Sequence, residues 1–440
     1  MNSMKKIGMI IYGYPLGVSP SLINSAILLA QEHYEVHIFI NRSGLELSKI
    51  NFNNQNIIIH ALDFNFGIWN KRILIFHNGK FEKIPIGNIY RYMHSKLMTS
   101  SILCRLYLLF NRGRSYSFSE YLYRYTKHFF KSLFEFHRGI LNYIGNEYVC
   151  IIGVQPLGLI AASLISMKEK IPIIYFNLEL FLEKECKTLK EKILKSLERE
   201  CNKKGFLTII QDKRRAKYLM DDNNIPEEKI VYVPVSALGG PYRKKSDYLY
   251  KILGISKGKK IILYAGNIVQ WSMSLEIAEA AQKWNDDKVL ILHTWRSNLE
   301  NETYINQIRN LTNNKKVYLS INPVEWQLLP ELLSSADIGL IFYQNLGKNF
   351  YETGSSSNKL AQYLQVGLPV ITIDYPSFRK VIEKYECGKC TKTPGEIEKL
   401  ANEIFLNYDT YRYNAFKCYQ EKYEFAKHFK AVIDKIKSIS

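Results

Sequence analysis

The chain has 440 residues, of which 47% are hydrophobic and 23% charged, and this composition excludes a disordered protein and predicts two folded domains. Lys and Arg number 60 against 41 Asp and Glu, so the net charge of +19 indicates an anionic partner: nucleic acid, an acidic lipid surface or a phosphorylated ligand. The 7 Cys residues, odd in number and scattered, argue against a secreted disulfide framework.

The chain begins with a pattern typical of an α/β domain. Residues 6–12 form an apolar run that predicts a buried strand, residues 21–31 predict a helix, and residues 36–40 predict a second strand. The loop after the first strand contains Gly13 and Gly17, which are candidates for binding a ligand at the carboxyl end of that strand. Their spacing is not that of a dinucleotide-binding loop, so simple turn chemistry is an equal alternative.

Residues 69–138 differ in composition from the rest of the chain. They are rich in Lys, Arg, Tyr and Phe, and their acidic residues are Glu82, Glu120 and Glu135. Basic side chains interleaved with aromatic rings suit the headgroup region of an anionic membrane, and they also suit nucleic acid. A solvated basic face over core aromatic residues is a third interpretation.

The rest of the first half alternates strands and helices. Strands are predicted at residues 148–153, 172–177, 206–211 and 229–234, and helices at residues 159–167, at residues 187–203 and after Asp212, a suitable N-cap. This alternation predicts a Rossmann-like, acceptor-binding domain over residues 1–236. A basic stretch rich in Gly, Pro and Ser, residues 235–246, marks the linker.

The second half repeats the alternation. Strands are predicted at residues 260–264, 288–293, 317–321, 338–343 and 370–373, with helices at residues 274–284, 301–311, 324–334 and 360–366. We therefore expect a second Rossmann-like, doubly wound domain over residues 247–410, with an interdomain cleft at the carboxyl ends of the two sheets. The last region, residues 411–440, is expected to be helical and to pack back on the first domain.

The stretch of residues 351–374 is the centre of the predicted site. Its helix starts in a run of small polar residues, Gly354 to Asn358, which brings hydroxyls, free backbone N–H groups and the positive end of the helix dipole together. Such a helix start predicts an anion site, usually for phosphate, whereas an ordinary Ser or Asn N-cap is the simpler alternative. Its position facing the cleft favours phosphate.

Three segments of the second half resemble the donor domain of GT-B glycosyltransferases, in particular glycosyltransferase family 4. They are residues 263–267 (LYAGN), 329–340 (LPELLSSADIGL) and 357–371 (SNKLAQYLQVGLPVI). The first half resembles the family only loosely. The resemblance implies two Rossmann-like domains and transfer of a sugar from a nucleotide-diphosphate sugar to a glycan acceptor, with retention of configuration.

The resemblance also implies roles for individual residues. Ser356, Ser357 and Asn358 would bind the donor diphosphate through backbone N–H groups, with Lys359 as an added positive charge. Stabilising the departing nucleoside diphosphate is the main catalytic task, because negative charge develops on its phosphate oxygens. Lys359 is therefore a candidate catalytic residue. Glu352 is the second candidate, because it is the acidic residue nearest to the position at which the family has a Glu close to the sugar.

Several positions depart from the family pattern. Gln362 stands where a ribose-binding Glu is expected, and Gly354 stands where a Glu near the sugar is expected. Gly266 and Asn267 are assigned to donor binding. The family usually has an Arg and a Lys here that neutralise the phosphates, but this chain has Asn267 at the first position and, roughly, Ser272 at the second. Other basic residues must then do this work, and the candidates are His293, Arg296, Lys348 and Lys359.

Neither a metal ion nor a cofactor is expected, the nucleotide sugar being a substrate. Retaining members of the family are thought to use no Asp/Glu metal cluster, and the pair Cys387 and Cys390 has no second C-x-x-C pair to complete a zinc site. The acceptor base is left open between Glu179 and Asp212, both chosen only for their positions after strands.

The predicted function is glycosyl transfer to a lipid-linked acceptor in cell-surface polysaccharide or glycolipid synthesis. The longest apolar segment, residues 151–165, contains Gln155 and Pro156 and is not expected to span a bilayer, so a cytoplasmic protein at the inner face of the membrane is expected. The alternatives are a nucleotide-sugar epimerase of the same fold and a non-catalytic glycosyltransferase-like binding protein. A nucleic-acid partner is not expected, since only charge would support it.

Overall fold

The computed structural model contains two parallel sheets with flanking helices, as the sequence predicted. It describes residues 4–41, 52, 54–62, 72–77, 80–85, 117–237, 239–294, 302–322 and 324–440. Each sheet has its own hydrophobic core, so the two halves of the chain fold around separate sets of buried side chains.

The first sheet is built from the first half of the chain. The described strands there are β1 (Lys6–Ile11), β2 (Glu35–Asn41), β3 (Ile57–Leu62), β4 (Arg72–His77), β5 (Lys80–Pro85), β6 (Tyr148–Val154), β7 (Ile173–Phe176), β8 (Leu207–Ile210) and β9 (Ile230–Tyr232). Seven of them form a sheet in the order β3-β2-β1-β6-β7-β8-β9, with all pairs parallel. The order reverses at β1, and ligands of open α/β sheets bind at such a switch point.

The helices of the first half mostly begin where local sequence caps them. They are α1 (Pro20–Gln31), α2 (Phe118–Phe129), α3 (Lys131–Ile140), α4 (Gln155–Glu169), α5 (Leu189–Lys204) and α6 (Lys213–Asn223). At α5, Thr188 and Glu191 each accept a hydrogen bond from the other's backbone N–H in a capping box. Asp212 caps α6, as predicted, by accepting from the backbone N–H groups of Arg214 and Arg215.

Helix α4 starts earlier than predicted, at Gln155 rather than at residue 159. Pro156 is tolerated there because the first helical turn does not use its missing N–H. Gly158 lets the helix lie close to β1, since a Cβ at that position would be 2.5 Å from the carbonyl oxygen of Ile10. The pair Gln155 and Pro156 therefore belongs to the helix and not to a loop.

The second sheet has the same kind of order. Its strands are β10 (Lys260–Ala265), β11 (Lys288–His293), β12 (Val317–Ser320), β13 (Ile338–Ile341), β14 (Val370–Ile373) and β15 (Gly388–Thr391). They are parallel in the order β12-β11-β10-β13-β14-β15, so the switch point is at β10. The edge strand β15 was not predicted, because its sequence GKCT lacks an apolar run.

The helices of the second half agree less well with the predicted bounds. They are α7 (Tyr248–Leu253), α8 (Ser274–Ala281), α9 (Glu302–Asn310), α10 (Leu329–Ser334), α11 (Lys348–Tyr351), α12 (Asn358–Gln365), α13 (Pro376–Tyr385) and α14 (Ile397–Leu406). The prediction did not include α7, α11 or α13. It also made α10 too long, since Pro330 lies in the first turn and a 3₁₀ turn, Trp326–Leu328, comes before it.

The C-terminal region crosses back to the first domain, as predicted. It contains α15 (Tyr408–Cys418), a π-helical turn Tyr419–Tyr423 and α16 (Phe425–Lys437). Helix α15 stays in the core of the second sheet, whereas α16 buries Phe425, Phe429 and Val432 in a core of the first. The crossing therefore lies just before Phe425, beyond the predicted boundary at residue 411.

Much of the basic aromatic region, residues 69–138, lies outside the described residues. The described part contains an antiparallel hairpin, in which β4 pairs with β5, followed by helices α2 and α3. Within the described ranges, no helix is long and apolar enough to cross a bilayer.

Candidate functional site

The predicted anion site lies at the start of α12, on the loop that follows β13. Ser357 is the N-cap, and its hydroxyl accepts a hydrogen bond of 3.2 Å from the backbone N–H of Leu360. The simpler interpretation of this helix start as a cap is thus correct for Ser357. Capping satisfies only one N–H group of the first turn, so an anion site at the same helix end is compatible with it.

Lys359 is buried in an aromatic environment, with 9% of its surface exposed. Its ammonium donates a hydrogen bond of 2.7 Å to the phenolic oxygen of Tyr264 and lies 4.2 Å and 4.6 Å from the ring centres of Tyr264 and Tyr343. A Cβ added at Gly266 would overlap the Lys359 side chain, so glycine permits this close approach. Burial lowers the pKa of Lys359 to about 7, because the charged form is desolvated.

Gly266 and Asn267 form the loop after β10. The backbone N–H of Gly266 donates to the carbonyl of His293 at 2.9 Å, and the hydroxyl of Tyr264 donates to the carbonyl of Asn267 at 2.9 Å. The loop is thus held both by β11 and by the tyrosine that Lys359 contacts. Among the described residues, the buried side-chain oxygen Oδ1 of Asn267 has no hydrogen-bond partner.

Of the other basic candidates for phosphate binding, the structure describes His293 and Lys348. Burial lowers the pKa of His293 to about 4, so its ring is neutral at physiological pH. Lys348 lies 5.3 Å from the ring centre of Tyr351, in the short helix α11. Arg296 lies outside the described residues. Phosphate binding by Lys348, by Arg296 and by Lys359 stays a prediction.

Gly354 has no room for the acidic side chain that the family pattern has at this position. A Cβ at Gly354 would clash with the carbonyl oxygen of Ser377, at the start of α13. The carbonyl of Gly354 also accepts a hydrogen bond of 2.6 Å from the hydroxyl of Tyr423. Gln362 is half-buried on α12, one turn beyond Asn358, and its contact with a ribose stays a prediction.

The glycine loop after β1 combines turn chemistry with a position at the carboxyl end of the sheet. Gly13 has a φ of 68°, which favours glycine, and its backbone N–H donates to the side-chain oxygen of Asn41 at 3.0 Å. Gly17 lies in the 3₁₀ turn Leu16–Val18 that leads into α1. The turn explanation therefore accounts for Gly13, and donor binding by either glycine stays a prediction.

Glu179 connects the loops of the two domains. Burial and the nearby carboxylate of Glu179 both raise the pKa of Tyr14, which follows Gly13. The pKa of Tyr343 is raised to about 12, mainly by burial and in part by the same carboxylate. The carboxylate of Glu179 accepts a hydrogen bond from the side-chain amide of Asn349 in the second domain, whereas the other candidate base, Asp212, uses its carboxylate as a helix cap.

Glu352 lies at the contact between the two domains. It is 1% exposed, and its carboxylate forms an ion pair of 2.7 Å with Arg214 of α6. The hydroxyl of Tyr218, on the same helix, donates to the same carboxylate oxygen at 3.5 Å. This carboxylate joins the domains, and its catalytic role stays a prediction.

Arg215 and Asn349 were not singled out from the sequence, although they hydrogen-bond to each other across the domain contact. Arg215 is fully buried, and its guanidinium donates to the hydroxyl of Ser356 at 3.0 Å and to the side-chain oxygen of Asn349 at 2.9 Å. The amide of Asn349 donates in turn to the carboxylate of Glu179. One signal could have found Arg215: it follows Asp212 at the carboxyl end of a strand, and such residues face the cleft.

In the part of the chain that the structure describes, no group of three or more His, Cys, Asp or Glu side chains is placed to hold a metal ion. Cys390 lies in β15, beside the buried Cys387. The expectation that no metal is needed stays a prediction.

Comparisons with known proteins bear on this fold and site. Residues 280–433 match the family model described as Glucosyltransferase 3-like, C-terminal domain. The structure of HepE from Anabaena in complex with UDP-glucose is similar over 99% of this chain and 100% of that chain, with a TM-score of 0.61 and 12% identity. No curated protein gives a significant sequence match.

Two further solved structures are similar over nearly the whole chain. Sucrose-phosphate synthase from Thermosynechococcus elongatus matches 99% of this chain and 100% of that chain, with a TM-score of 0.63 and 11% identity. WaaG, described as a glycosyltransferase involved in lipopolysaccharide biosynthesis, matches 97% and 98%, with a TM-score of 0.56 and 11% identity.

The chain has the fold of a GT-B glycosyltransferase. The predicted fold is confirmed, with two Rossmann-like sheets in one chain. The predicted enzyme class is confirmed as well, since the family model that matches most of the second domain is that of a glycosyltransferase. Assignment to glycosyltransferase family 4 rests on the sequence resemblance alone.

Proposed function

We propose that this protein transfers a sugar from a nucleotide-diphosphate sugar to a glycan acceptor and binds the donor diphosphate at the start of α12. The observation that carries the proposal is the setting of Lys359, a buried ammonium whose hydrogen-bond acceptor is a neutral phenol. Among the described residues, no carboxylate forms an ion pair with it. A buried charge without a counterion is costly, and a bound diphosphate beside it would offset that cost.

The same residues suit the chemistry of the transfer. When the bond between sugar and diphosphate breaks, negative charge develops on the leaving phosphate oxygens. Lys359 and the N–H groups at the start of α12 then stabilise the transition state more than the bound donor, which is the condition for catalysis. The reaction is proposed to proceed with retention, as in the resembling family, and NMR of the anomeric proton in the product distinguishes retention from inversion.

The proposal needs no metal ion, because Lys359 and the helix start take the place of a cation at the phosphates. Turnover is then expected to be unchanged after treatment with EDTA. Loss of activity that Mg²⁺ or Mn²⁺ restores would contradict this part of the proposal and leave the donor site standing.

A lipid-linked acceptor at the cytoplasmic face of a membrane is the proposed setting. Helix α2 exposes Tyr123 and Lys127, whose ammonium lies 5.7 Å from the tyrosine ring centre. The ammonium of Lys204, at the end of α5, lies 5.8 Å from the ring centre of Phe118 on α2. Basic and aromatic groups in this arrangement suit an anionic leaflet. Flotation with vesicles that contain phosphatidylserine, compared with neutral vesicles at low salt, tests it, and equal flotation would remove the membrane from the proposal.

The donor site is tested by thermal shift with UDP, GDP, CMP, dTDP and ADP. A ligand at a hundred times its dissociation constant is expected to stabilise the protein by about 2.7 kcal/mol. UDP is the first choice, because the similar structure of HepE contains UDP-glucose. If none of the five nucleotides raises the melting temperature, the donor site is wrong.

A nucleotide-sugar epimerase is the second candidate. Similar structures include a putative UDP-N-acetylglucosamine 2-epimerase from Listeria monocytogenes, with a TM-score of 0.56 and 11% identity. An epimerase acts on the nucleotide sugar alone and needs no acceptor. Incubation with UDP-N-acetylglucosamine, followed by NMR, would reveal an isomerised sugar in that case, whereas a glycosyltransferase would leave the sugar unchanged or hydrolyse it slowly.

A further inference from the structure

Arg215 donates five hydrogen bonds to described residues, and four of them cross the contact between the two domains. It belongs to α6 of the first domain and is 0% exposed. Its guanidinium donates to the hydroxyl of Ser356 at 3.0 Å, to the carbonyl of Glu352 at 3.3 Å, and to the carbonyl and side-chain oxygens of Asn349 at 3.4 Å and 2.9 Å. It also donates to the carbonyl of Leu178 in its own domain at 3.0 Å.

These acceptors mark the loop that leads into the proposed diphosphate site. Asn349, Glu352 and Ser356 all belong to the segment between β13 and α12, and Ser356 directly precedes the cap residue Ser357. The backbone of the linker supports the same loop, because the N–H of Val235 donates to the carbonyl of Ser355 at 2.9 Å. The start of α12 is thus held from the first domain as well as from its own.

The cost of burying Arg215 is offset only while the two domains are in contact. Burial lowers the pKa of Arg215, which reflects the cost of removing a guanidinium from water. Fixed acceptors offset this cost, and most of them belong to the second domain. If the domains separated, water would replace the acceptors of Arg215 in the second domain. The hydroxyl of Ser356 would then lose the hydrogen bond that Arg215 donates to it.

We propose that Arg215 is a positioning residue that completes the diphosphate site from the opposite domain, so that donor affinity depends on the contact between the two domains. This inference rests on the proposed function, since it concerns the same helix start. Arg215 acts through Ser356 and the loop backbone and does not itself bind the phosphates. The acceptor domain would thereby influence how tightly the donor is held.

The adjacent Arg214 shows why Arg215 is the residue concerned. Arg214 also joins the domains, but it does so through the carboxylate of Glu352, and 44% of its side chain is exposed. Only the arginine side of this ion pair is exposed, since the carboxylate of Glu352 is buried, and the pair does not involve the residues between Glu352 and the cap residue. Loss of Arg214 therefore weakens the domain contact and leaves the hydroxyl of Ser356 in place.

The test is the affinity for UDP, GDP, dTDP and ADP, measured by calorimetry on the full chain. Arg215→Met is expected to raise the dissociation constant of the bound nucleotide by about tenfold or more, since a charged hydrogen-bond network is lost. The matched control is Lys217→Met, which removes an exposed cation from the same helix and is expected to leave the affinity unchanged. Equal affinity in Arg215→Met and the wild type would overturn the inference.

A double-mutant cycle separates positioning from a general loss of stability. Ser356→Ala alone is expected to weaken nucleotide binding, whereas in the Arg215→Met background it should have little further effect, because methionine has no N–H group and the contact is already lost. If the two substitutions act independently, Arg215 does not act through Ser356 and the inference is wrong. Arg215→Lys keeps the charge and serves in place of Arg215→Met if the latter does not fold.

The outcomes also distinguish this inference from the proposed function. If the wild type binds none of the four nucleotides, the donor site itself is wrong. If the wild type binds one of them and both Arg215 variants bind it equally well, the donor site stands and only the link to the first domain is wrong.

Discussion

The ammonium of Lys359 donates a hydrogen bond of 2.7 Å to the hydroxyl of Tyr264, which in turn donates to the carbonyl of Asn267 at 2.9 Å. The two side chains belong to α12 and β10, which lie almost a hundred residues apart in the chain but meet at the carboxyl end of the sheet. A neutral phenol orients the ammonium without neutralising it. The proposed diphosphate would supply the negative charge that this contact lacks.

Replacing Lys359 by Met is expected to abolish binding of nucleoside diphosphates and to lower turnover at least about a hundredfold. Methionine can fill the space between the rings of Tyr264 and Tyr343 without a charge, so the melting temperature should be kept. Calorimetry with UDP and a turnover assay measure the two effects. Lys392→Met, which removes an exposed lysine of the same domain, is the control. Nucleotide affinity at the wild-type level in Lys359→Met would show that the charge has no role.

Donor binding is expected to depend on pH through Lys359, whose pKa burial lowers to about 7. A bound diphosphate favours the charged form, so binding raises this pKa, and above pH 7 the protein takes up a proton as it binds. The affinity for UDP should therefore fall as the pH rises above 7, by up to about tenfold per pH unit.

Calorimetry at pH 8 in two buffers with different ionisation enthalpies measures this proton uptake. The apparent binding enthalpy should differ between HEPES and Tris for the wild type. The control variant Tyr250→Phe should show the same difference in binding enthalpy between the two buffers, because Lys359 is intact in it. Identical enthalpies in the two buffers would mean that Lys359 does not change its protonation state.

Tyr264→Phe removes the acceptor of the buried ammonium. An unsatisfied buried donor costs about 1–3 kcal/mol, so the free energy of unfolding should fall by this amount, and the affinity for UDP should fall because Lys359 loses its fixed position. Urea denaturation and calorimetry measure the two quantities. Tyr250→Phe is the control: its hydroxyl donates to the carbonyl of Lys259 at 2.7 Å, away from α12. It should lose stability by about 1 kcal/mol and keep its affinity for UDP.

Gly354→Ala is expected to destabilise the folded protein by about 2 kcal/mol or more, because the added methyl group overlaps the backbone of Ser377. Gly395→Ala is the matched control, since the nearest atom to a Cβ there is 3.9 Å away. Urea denaturation of the two variants tests the difference. Equal stability of both would show that the loop before α12 yields easily, and that the missing acidic residue is not a consequence of packing.

The order of strands and helices was largely predictable, because apolar runs and caps are local properties of the chain. The predicted bounds of β11 and β14 agree with the structure, and the cap at Asp212 is as expected. The strand β15 and the helix α13 were missed. The sequence of β15, GKCT, has no apolar run that would predict a strand. It is a strand because it pairs with β14 in the sheet.

The site was predictable only in part. Ser357 and Lys359 could be assigned from the helix start, since a cap and the first helical turn involve neighbouring residues. The role of Arg215 could not be derived in this way, because its acceptors in the second domain lie more than a hundred residues further along the chain. The same holds for Glu352, a candidate for catalysis, whose buried carboxylate pairs with Arg214 of the other domain.

The amino-acid sequence by itself determined the two alternating halves and the position of Lys359 in the first turn of a helix. Only the tertiary structure decided that Lys359 lies between Tyr264 and Tyr343, and that the loop before it is held by Arg215. The physical reason is distance along the chain. Secondary structure and capping depend on residues a few positions apart, whereas burial, pKa and domain contacts depend on side chains that packing brings together.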